Sequence, residues 1–261
     1  MVLETDAAPR GGYARSRSVA TTRDGLAVVC FLWAAQTLVQ LSWFTSWAER
    51  GDPFGWTAFL LASAVLLQPG NLRLALLSIA ASTVYYVTQW PFTSNHILLD
   101  TFFSAAILGA AITTLGPRLA STAPISAAER DEIVDRFRPV LIAIFAIMYY
   151  AIFLSKMNTD FLDPSVSCMQ AMYEDFLRRE PMLERMAAPL PTGALLTVFM
   201  VVELVLPVLL TFRRTRLLAC YVGLPFHLVL GVMGHLSYSS LVIALYAVVA
   251  LPWIVKTIDR M

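Results

Sequence analysis

Charged residues in this chain fall in clusters, and the gaps between clusters are long. No Asp, Glu, Lys or Arg occurs from Gly25 to Ala48, Phe54 to Leu72, Leu74 to Leu99, Pro139 to Ser155 or Met186 to Val202. A last uncharged run, Leu217 to Val255, has room for two crossings. A helix rises about 1.5 Å per residue, so about 20 apolar residues span a hydrocarbon core ~30 Å thick. Turn-forming residues divide the runs at Pro69-Gly70-Asn71, Pro91-Phe92-Thr93-Ser94-Asn95 and Gly234-His235-Leu236-Ser237. The pattern predicts helices over 25–47, 54–68, 72–90, 96–115, 138–156, 192–212, 216–234 and 238–255, the second short enough to tilt or bend. The expected fold class is all-α, a polytopic transmembrane helical bundle of about eight spans.

Composition agrees. Hydrophobic residues make up 58% of the 261 and charged residues 14%, against about 45–50% and about 25% in ordinary globular chains. The mean hydropathy is +0.67. A formal net charge of +1 excludes a nucleic-acid binder driven by overall basicity and an acidic disordered chain.

The distribution of charge orients the bundle. With eight spans and both termini cytoplasmic, the inner segments hold Arg10, Arg15, Arg17, Arg23, Arg73, Arg118, Arg130, Arg136, Arg138, Arg213, Arg214, Arg216, Lys256 and Arg260. That is 14 of the 19 basic residues, the bias of the positive-inside rule. Residues 1–24 read as a disordered cytoplasmic tail without a cleavable signal, 25–256 as the membrane domain with an outer loop over 157–191, and 257–261 as a C-terminal tail. The setting expected is a bacterial plasma membrane.

Little points to cofactor motifs. Cys30 and Cys220 fall inside spans and Cys168 stands alone in the outer loop, so neither a disulfide nor a metal site is expected. There is no phosphate-cradling glycine loop, no H-E-x-x-H and no G-x-S-x-G. Small residues in the fourth span, from Ser104 to Ala111, suggest close helix packing. No internal repeat stands out, which counts against an inverted-repeat transporter.

Ionisable groups at membrane depth are costly and therefore site candidates. Asp100 follows His96 by four residues, a spacing at which a carboxylate can hold an imidazole in one tautomer. Glu203 sits in the middle of the sixth span, ahead of Pro207. His227 lies just past the middle of the seventh, Lys156 ends the fifth, and His235 closes the seventh. All three histidines fall in the outer half of the bundle. Each group also has an ordinary structural role available: a helix cap for His96, a snorkelling cation for Lys156, an interhelical hydrogen bond for Glu203. The pairs Tyr85-Tyr86 and Tyr149-Tyr150 read first as core or belt aromatics. In the outer loop, Met169, Met172, Tyr173, Phe176 and Leu177 recur at helical spacing, predicting an amphipathic helix, either a lid over the bundle mouth or a solvated connector.

Four motifs resemble one family. Lys156-Met157-Asn158-Thr159-Asp160-Phe161-Leu162 resembles the lysine motif of vitamin K-dependent gamma-carboxylase and its bacterial relatives, which share the horizontally transferred transmembrane (HTTM) domain. Asn95-His96-Ile97-Leu98-Leu99, the Glu203-to-Pro207 stretch and Phe226-His227 are similar to further segments of that family, in the same order, over roughly residues 20–256. The resemblance implies a helical membrane bundle with an extracytoplasmic-facing site and reduced vitamin K or menaquinone as cofactor. It also implies Lys156 as the base and His96 as a stabiliser of charged intermediates, with Asn95, Asp100, Asn158, Glu203 and His227 lining the site. Only Lys256 to Met261 follow the last predicted span, so the carboxylase's large lumenal domain is expected to be missing and carboxylation of a protein glutamate is not expected.

Three readings follow. The first is a quinol-using carboxylase- or oxygenase-type enzyme. The second is a non-catalytic maturation or assembly factor that holds a separately encoded secreted or membrane partner through the outer loop. The third is a proton-coupled transporter using Glu203 and Asp100. Membrane lipid is a partner under all three, and nucleic acid under none.

Overall fold

The computed structural model describes residues 24–43, 45–90, 95–163, 165–179, 192–258 and 260, and among these the regular structure is entirely helical. In chain order the helices are α1 (Gly25–Trp43), α2 (Ser46–Glu49), α3 (Pro53–Leu67), α4 (Leu72–Thr88), α5 (Asn95–Leu115) and α6 (Ala127–Lys156). They continue with α7 (Thr159–Leu162), α8 (Cys168–Arg179), α9 (Thr192–Thr211), α10 (Arg216–Leu230) and α11 (Leu236–Ile258). Four stretches are long and apolar enough to cross a membrane: Gly25–Trp43, His96–Ala120, Ala127–Lys156 and Arg216–Ile258. Pro53–Leu67, Leu72–Thr88 and Leu196–Thr211 are apolar but shorter. The predicted tail over residues 1–24 lies outside the described residues except for Asp24, and so do residues 180–191 of the outer loop.

The tract Arg216–Ile258 doubles back on itself. Gly231 lies against Ser239, Gly223 against Tyr246, and the Cys220 thiol 3.6 Å from the Tyr246 carbonyl, so the two halves pair in reverse order. The reversal uses a π-helical stretch, Gly231–His235, in which Gly234 takes φ +114. That backbone suits a residue without Cβ, and it explains why the break falls close to where the sequence places it.

Two helix boundaries differ from the sequence reading. The first helix ends at Trp43 rather than at 47. Beyond it Trp47 turns back, its indole N–H donating to the Leu41 carbonyl at 2.8 Å, and the Trp47 side chain packs where a Cβ on Gly55 would stand. The fifth predicted helix starts eleven residues earlier, at Ala127. Ser126 and Glu129 form a reciprocal capping box, and the Ser126 hydrogen bonds hold the Glu129 carboxyl below the usual carboxylate range. The charged turns that hid this extension are amphipathic, with Ile133 and Phe137 buried in the core.

One core runs the length of the bundle and includes Trp33, Phe103, Ile107, Phe145, Leu241 and Leu245. Small residues contribute unevenly: Ala110 and Ala111 are buried, whereas a Cβ on Gly109 would meet nothing within 4 Å. At the arginine-bearing end, Arg130 pairs with Asp24 and donates to the Gly70 carbonyl, tying α1, the α3–α4 turn and α6 together. Arg138 has a more specific task. Pro252 has no N–H for the Val248 carbonyl four residues earlier, and Arg138 fills the vacancy with Nε at 3.0 Å from that oxygen and Nη2 at 2.8 Å from the Val249 oxygen. At the opposite end α8 lays Met169, Met172, Tyr173 and Phe176 on Leu196, Phe199, Leu230 and Met233, the amphipathic helix expected.

Gly223 is where helix approach is tightest: a Cβ there would stand 2.0 Å from the Tyr246 hydroxyl. Gly223→Ala is expected to lower stability by about 1–3 kcal/mol through overpacking, read by thermal unfolding in detergent. Gly109→Ala, in open space, should leave the transition where it is.

Candidate functional site

The site starts at the outer end of α6. Tyr149 and Lys156 are seven residues apart, two helical turns, and so share a face. On that face Lys156 Nζ donates to Glu203 Oε1 of α9 at 2.5 Å, with the lysine side chain 21% and the glutamate side chain 7% exposed. Glu203 Oε2 is buried and has no hydrogen-bond partner among the described residues. The ammonium also lies 5.1 Å from the centroid of the Phe161 ring, a cation–π distance. Asn158 sets that ring in place. Its Oδ1 accepts from the Phe161 N–H at 2.8 Å and its amide donates to the Ser155 carbonyl at 2.8 Å. Asn158 is therefore an exposed turn residue that shapes the surroundings of Lys156.

Further down the same face, the Tyr149 hydroxyl is hydrogen-bonded to His227 Nε2 and lies 3.0 Å from the Tyr246 hydroxyl. His227 is 1% exposed, and its Nδ1 has no partner. Its ring stacks edge-on to Tyr238 at 5.4 Å between centroids, and Tyr238 meets His96 at 6.3 Å. His96 Nε2 also faces the Ser237 hydroxyl at 3.5 Å. Tyr238 thus stands between the two histidines that the sequence nominated.

Beside this cluster is a cavity of about 330 Å³, walled by His96 and Leu99 of α5, Met148, Ala151, Ile152 and Ser155 of α6, and Tyr238 of α11. Lys156 follows directly on Ser155 of that wall. The volume is at the lower edge of the roughly 300–1,000 Å³ of small-molecule sites, and its mix of aliphatic wall and few polar groups suits an apolar ligand with a polar head.

Asp100 belongs to a different nest. Its Oδ2 accepts from Gln36 Nε2 at 2.9 Å and its Oδ1 from the Ser104 hydroxyl at 3.2 Å. Gln40 donates to Gln36 at 2.8 Å, and the Trp33 indole to Ser104 at 3.3 Å. These bonds tie α5 to α1, so the carboxyl that sequence spacing assigned to His96 is engaged with α1. Asn95 opens α5 immediately before His96, but its side chain lies outside the described residues. His235 sits under α8, with Nε2 2.8 Å from the Met172 sulfur.

Sequence reasoning missed the three tyrosines. Tyr149 was visible only as half of an aromatic pair whose other half, Tyr150, is exposed; its seven-residue offset from Lys156 was the available signal. Tyr238 and Tyr246 carried none. No protein-family model matches the chain, and neither does any curated protein or any solved structure.

Replacing Glu203 by Leu strands the Lys156 ammonium. Breaking a fully buried pair costs roughly 3–5 kcal/mol, and partial exposure of the lysine reduces this to about 2–3 kcal/mol. The joint variant Lys156→Leu/Glu203→Leu is expected to recover most of the loss. Thermal unfolding of the three proteins decides it: a joint variant no better than Glu203→Leu removes the ion pair as the cause.

Proposed function

We propose that this chain is a multi-pass membrane protein of the HTTM type, crossing a bacterial plasma membrane eight times with both termini cytoplasmic. On this reading it works as a quinol-using enzyme of carboxylase or oxygenase type with an extracytoplasmic-facing site. The helical hairpin Arg216–Ile258 and the three shorter apolar helices support the higher span number, since each gives one more crossing than the long helices alone. The collection of arginines at the end opposite Lys156 supports the orientation.

One observation carries the functional reading: an apolar cavity of about 330 Å³ has His96 and Ser155 in its wall, and Lys156, the residue after Ser155 in the chain, holds Glu203. A reduced naphthoquinone with an isoprenoid tail would suit such a cavity, where His96, Tyr238, Met148 and Ile152 are among the residues that would hold it. The cofactor supplies the oxidation: quinol and dioxygen give the quinone epoxide and one water. The protein's own groups manage the protons. While Lys156 donates to Glu203 its amine is not available to a quinol. Transfer of that proton to Glu203 Oε1 frees the amine to take a hydroxyl proton from the quinol. Lys156 is not among the lining residues, and its long flexible stem lets the freed amine swing from Glu203 to the cavity. His96, held against Ser237 and Tyr238, stabilises the negative charge that develops on the quinol oxygen.

Reduced menaquinone and oxygen given to the protein in lipid nanodiscs test the proposal. Wild type is expected to form epoxide, detected by mass spectrometry. Lys156→Ala and Glu203→Gln should still bind quinol but form product at least about 100-fold more slowly, the usual contribution of a positioned acid or base. Absence of both quinol binding and epoxide in wild type rejects the enzyme, and undiminished turnover in Lys156→Ala rejects the base.

A further inference from the structure

A second hollow, of about 480 Å³, is cut into the α10–α11 hairpin. Leu217, Tyr221 and Leu224 form one wall, and Ile254 with the small Ala247 and Ala250 the other. Its lining on α11 runs from Ile243 to Ile258, about 22 Å of helix, enough to take the ~15 Å of hydrocarbon in one leaflet. The tyrosine cluster touches it only through Tyr246, so it is separate from the cavity at His96.

What distinguishes this groove from an ordinary lipid-facing surface is the charge at one end. Leu217 and Thr257 line it there, and they adjoin Arg216 and Lys256 in sequence. Arg213 and Arg214 stand in the turn just ahead of Arg216, and no Asp or Glu occurs from Leu204 to Ile258. Arg213 and Arg216, and with opposite sign Asp135 of α6, lie close enough to Arg138 to act on its charge. Arg138 is committed to the Val248 and Val249 carbonyls, and Arg216 Nε to the Leu210 carbonyl at 3.0 Å. Arg213, Arg214 and Lys256 have no hydrogen bond or ion pair among the described residues. Three cations crowd beside the mouth of an apolar groove, and nothing acidic in the hairpin balances them.

We infer that the groove is a binding site for an anionic phospholipid, one acyl chain lying between α10 and α11 and the phosphate held by Arg213, Arg214 and Lys256. A zwitterionic lipid fits the hydrocarbon part equally well but leaves the crowded cations uncompensated. A quinone fits the groove and has no charge for them. Charge complementarity therefore selects the anionic lipid. The site does not depend on the quinol reading.

Trp253 lines the groove and reports its occupant. Bromine atoms on an acyl chain quench a neighbouring indole, and subtracting the signal of Trp253→Phe isolates this tryptophan from the other five. In nanodiscs, brominated phosphatidylglycerol is expected to quench it at several-fold lower mole fraction than brominated phosphatidylcholine. The preference should fall by roughly fivefold for each charge removed in Arg213→Gln and Arg214→Gln. It should persist in Arg136→Gln, whose exposed guanidinium pairs with Glu132 on its own helix. Ala250→Leu, which fills the groove and leaves the arginines intact, should weaken quenching by phosphatidylglycerol. Equal quenching by the two lipids, an equal loss in Arg136→Gln, no effect of Ala250→Leu, or displacement by menaquinone but not by unbrominated phosphatidylglycerol would each overturn the assignment. Inorganic phosphate serves as a headgroup-only competitor: displacement by it at millimolar concentration would make this an anion site without a lipid.

Discussion

Lys156 and Glu203 face each other across α6 and α9 where almost every neighbouring side chain is apolar, and neither could be accommodated there alone. An isolated charge at membrane depth costs several kcal/mol, whereas a paired one is tolerated. The contact therefore fixes more than two side chains. It sets the register of α9 against α6 and draws the turn after α6 inward, where Asn158 positions Phe161 beside the ammonium. It also orients the face of α6 that carries Tyr149 toward α10 and α11. The tyrosine–histidine cluster inherits its position from that face. Gly223 completes the arrangement, because only a residue without Cβ lets the Tyr246 hydroxyl reach Tyr149.

The same rule governs the backbone. In hydrocarbon a carbonyl without its helical partner has no water to turn to, so each proline inside a helix creates a demand. Pro252 creates one at Val248, and Arg138 answers it from another helix. A charged side chain and a helix-breaking residue, each unfavourable on its own, become mutually compatible and join α6 to α11. The Asp100 nest works likewise on the other side of the bundle. Gln36 and Ser104 supply the carboxyl with neutral donors, Gln40 braces Gln36, and together they hold α1 to α5. Polar residues here act mainly as interhelical connections, and the bundle's few charges divide into separate nests.

Much of this was legible in the sequence, for a physical reason. A membrane excludes charge, so uncharged runs marked the helices directly, and the scarcity of ionisable groups left Lys156, Asp100, Glu203 and the three histidines as the candidates. The start of α6 was hidden because its first turns carry Glu129, Arg130, Glu132 and Arg136 outside the apolar pattern; only the Ser126–Glu129 box announced it. Side-chain allegiance was hidden more deeply. Spacing within one helix offered His96 as a partner for Asp100, but the donor that holds this carboxyl, Gln36, is 64 residues away in sequence. The tyrosines were illegible for another reason: at membrane depth a hydrogen-bonded tyrosine and a belt aromatic are the same letter, and only the tertiary contact separates them.

The location of the unsatisfied atoms says where the bundle is incomplete. Buried polar groups are nearly always hydrogen-bonded, so exceptions merit a cause. Glu203 Oε2 and His227 Nδ1 are both buried without partners, and both belong to the cluster around Lys156 and Tyr238. Unmet buried atoms such as Gln40 Oε1 occur elsewhere in the bundle, where nothing assigns them a task. A site that takes up and releases a proton has a use for one, because an atom must remain open. On the proposed reading the Lys156 proton moves to Glu203 Oε1 across the ion-pair contact, the spare Oε2 is left to pass it on, and the spare nitrogen of His227 lies on the ring that meets Tyr149. The protonic chemistry proposed for the cavity thus rests on what the ion pair leaves unbonded as much as on the contact it makes.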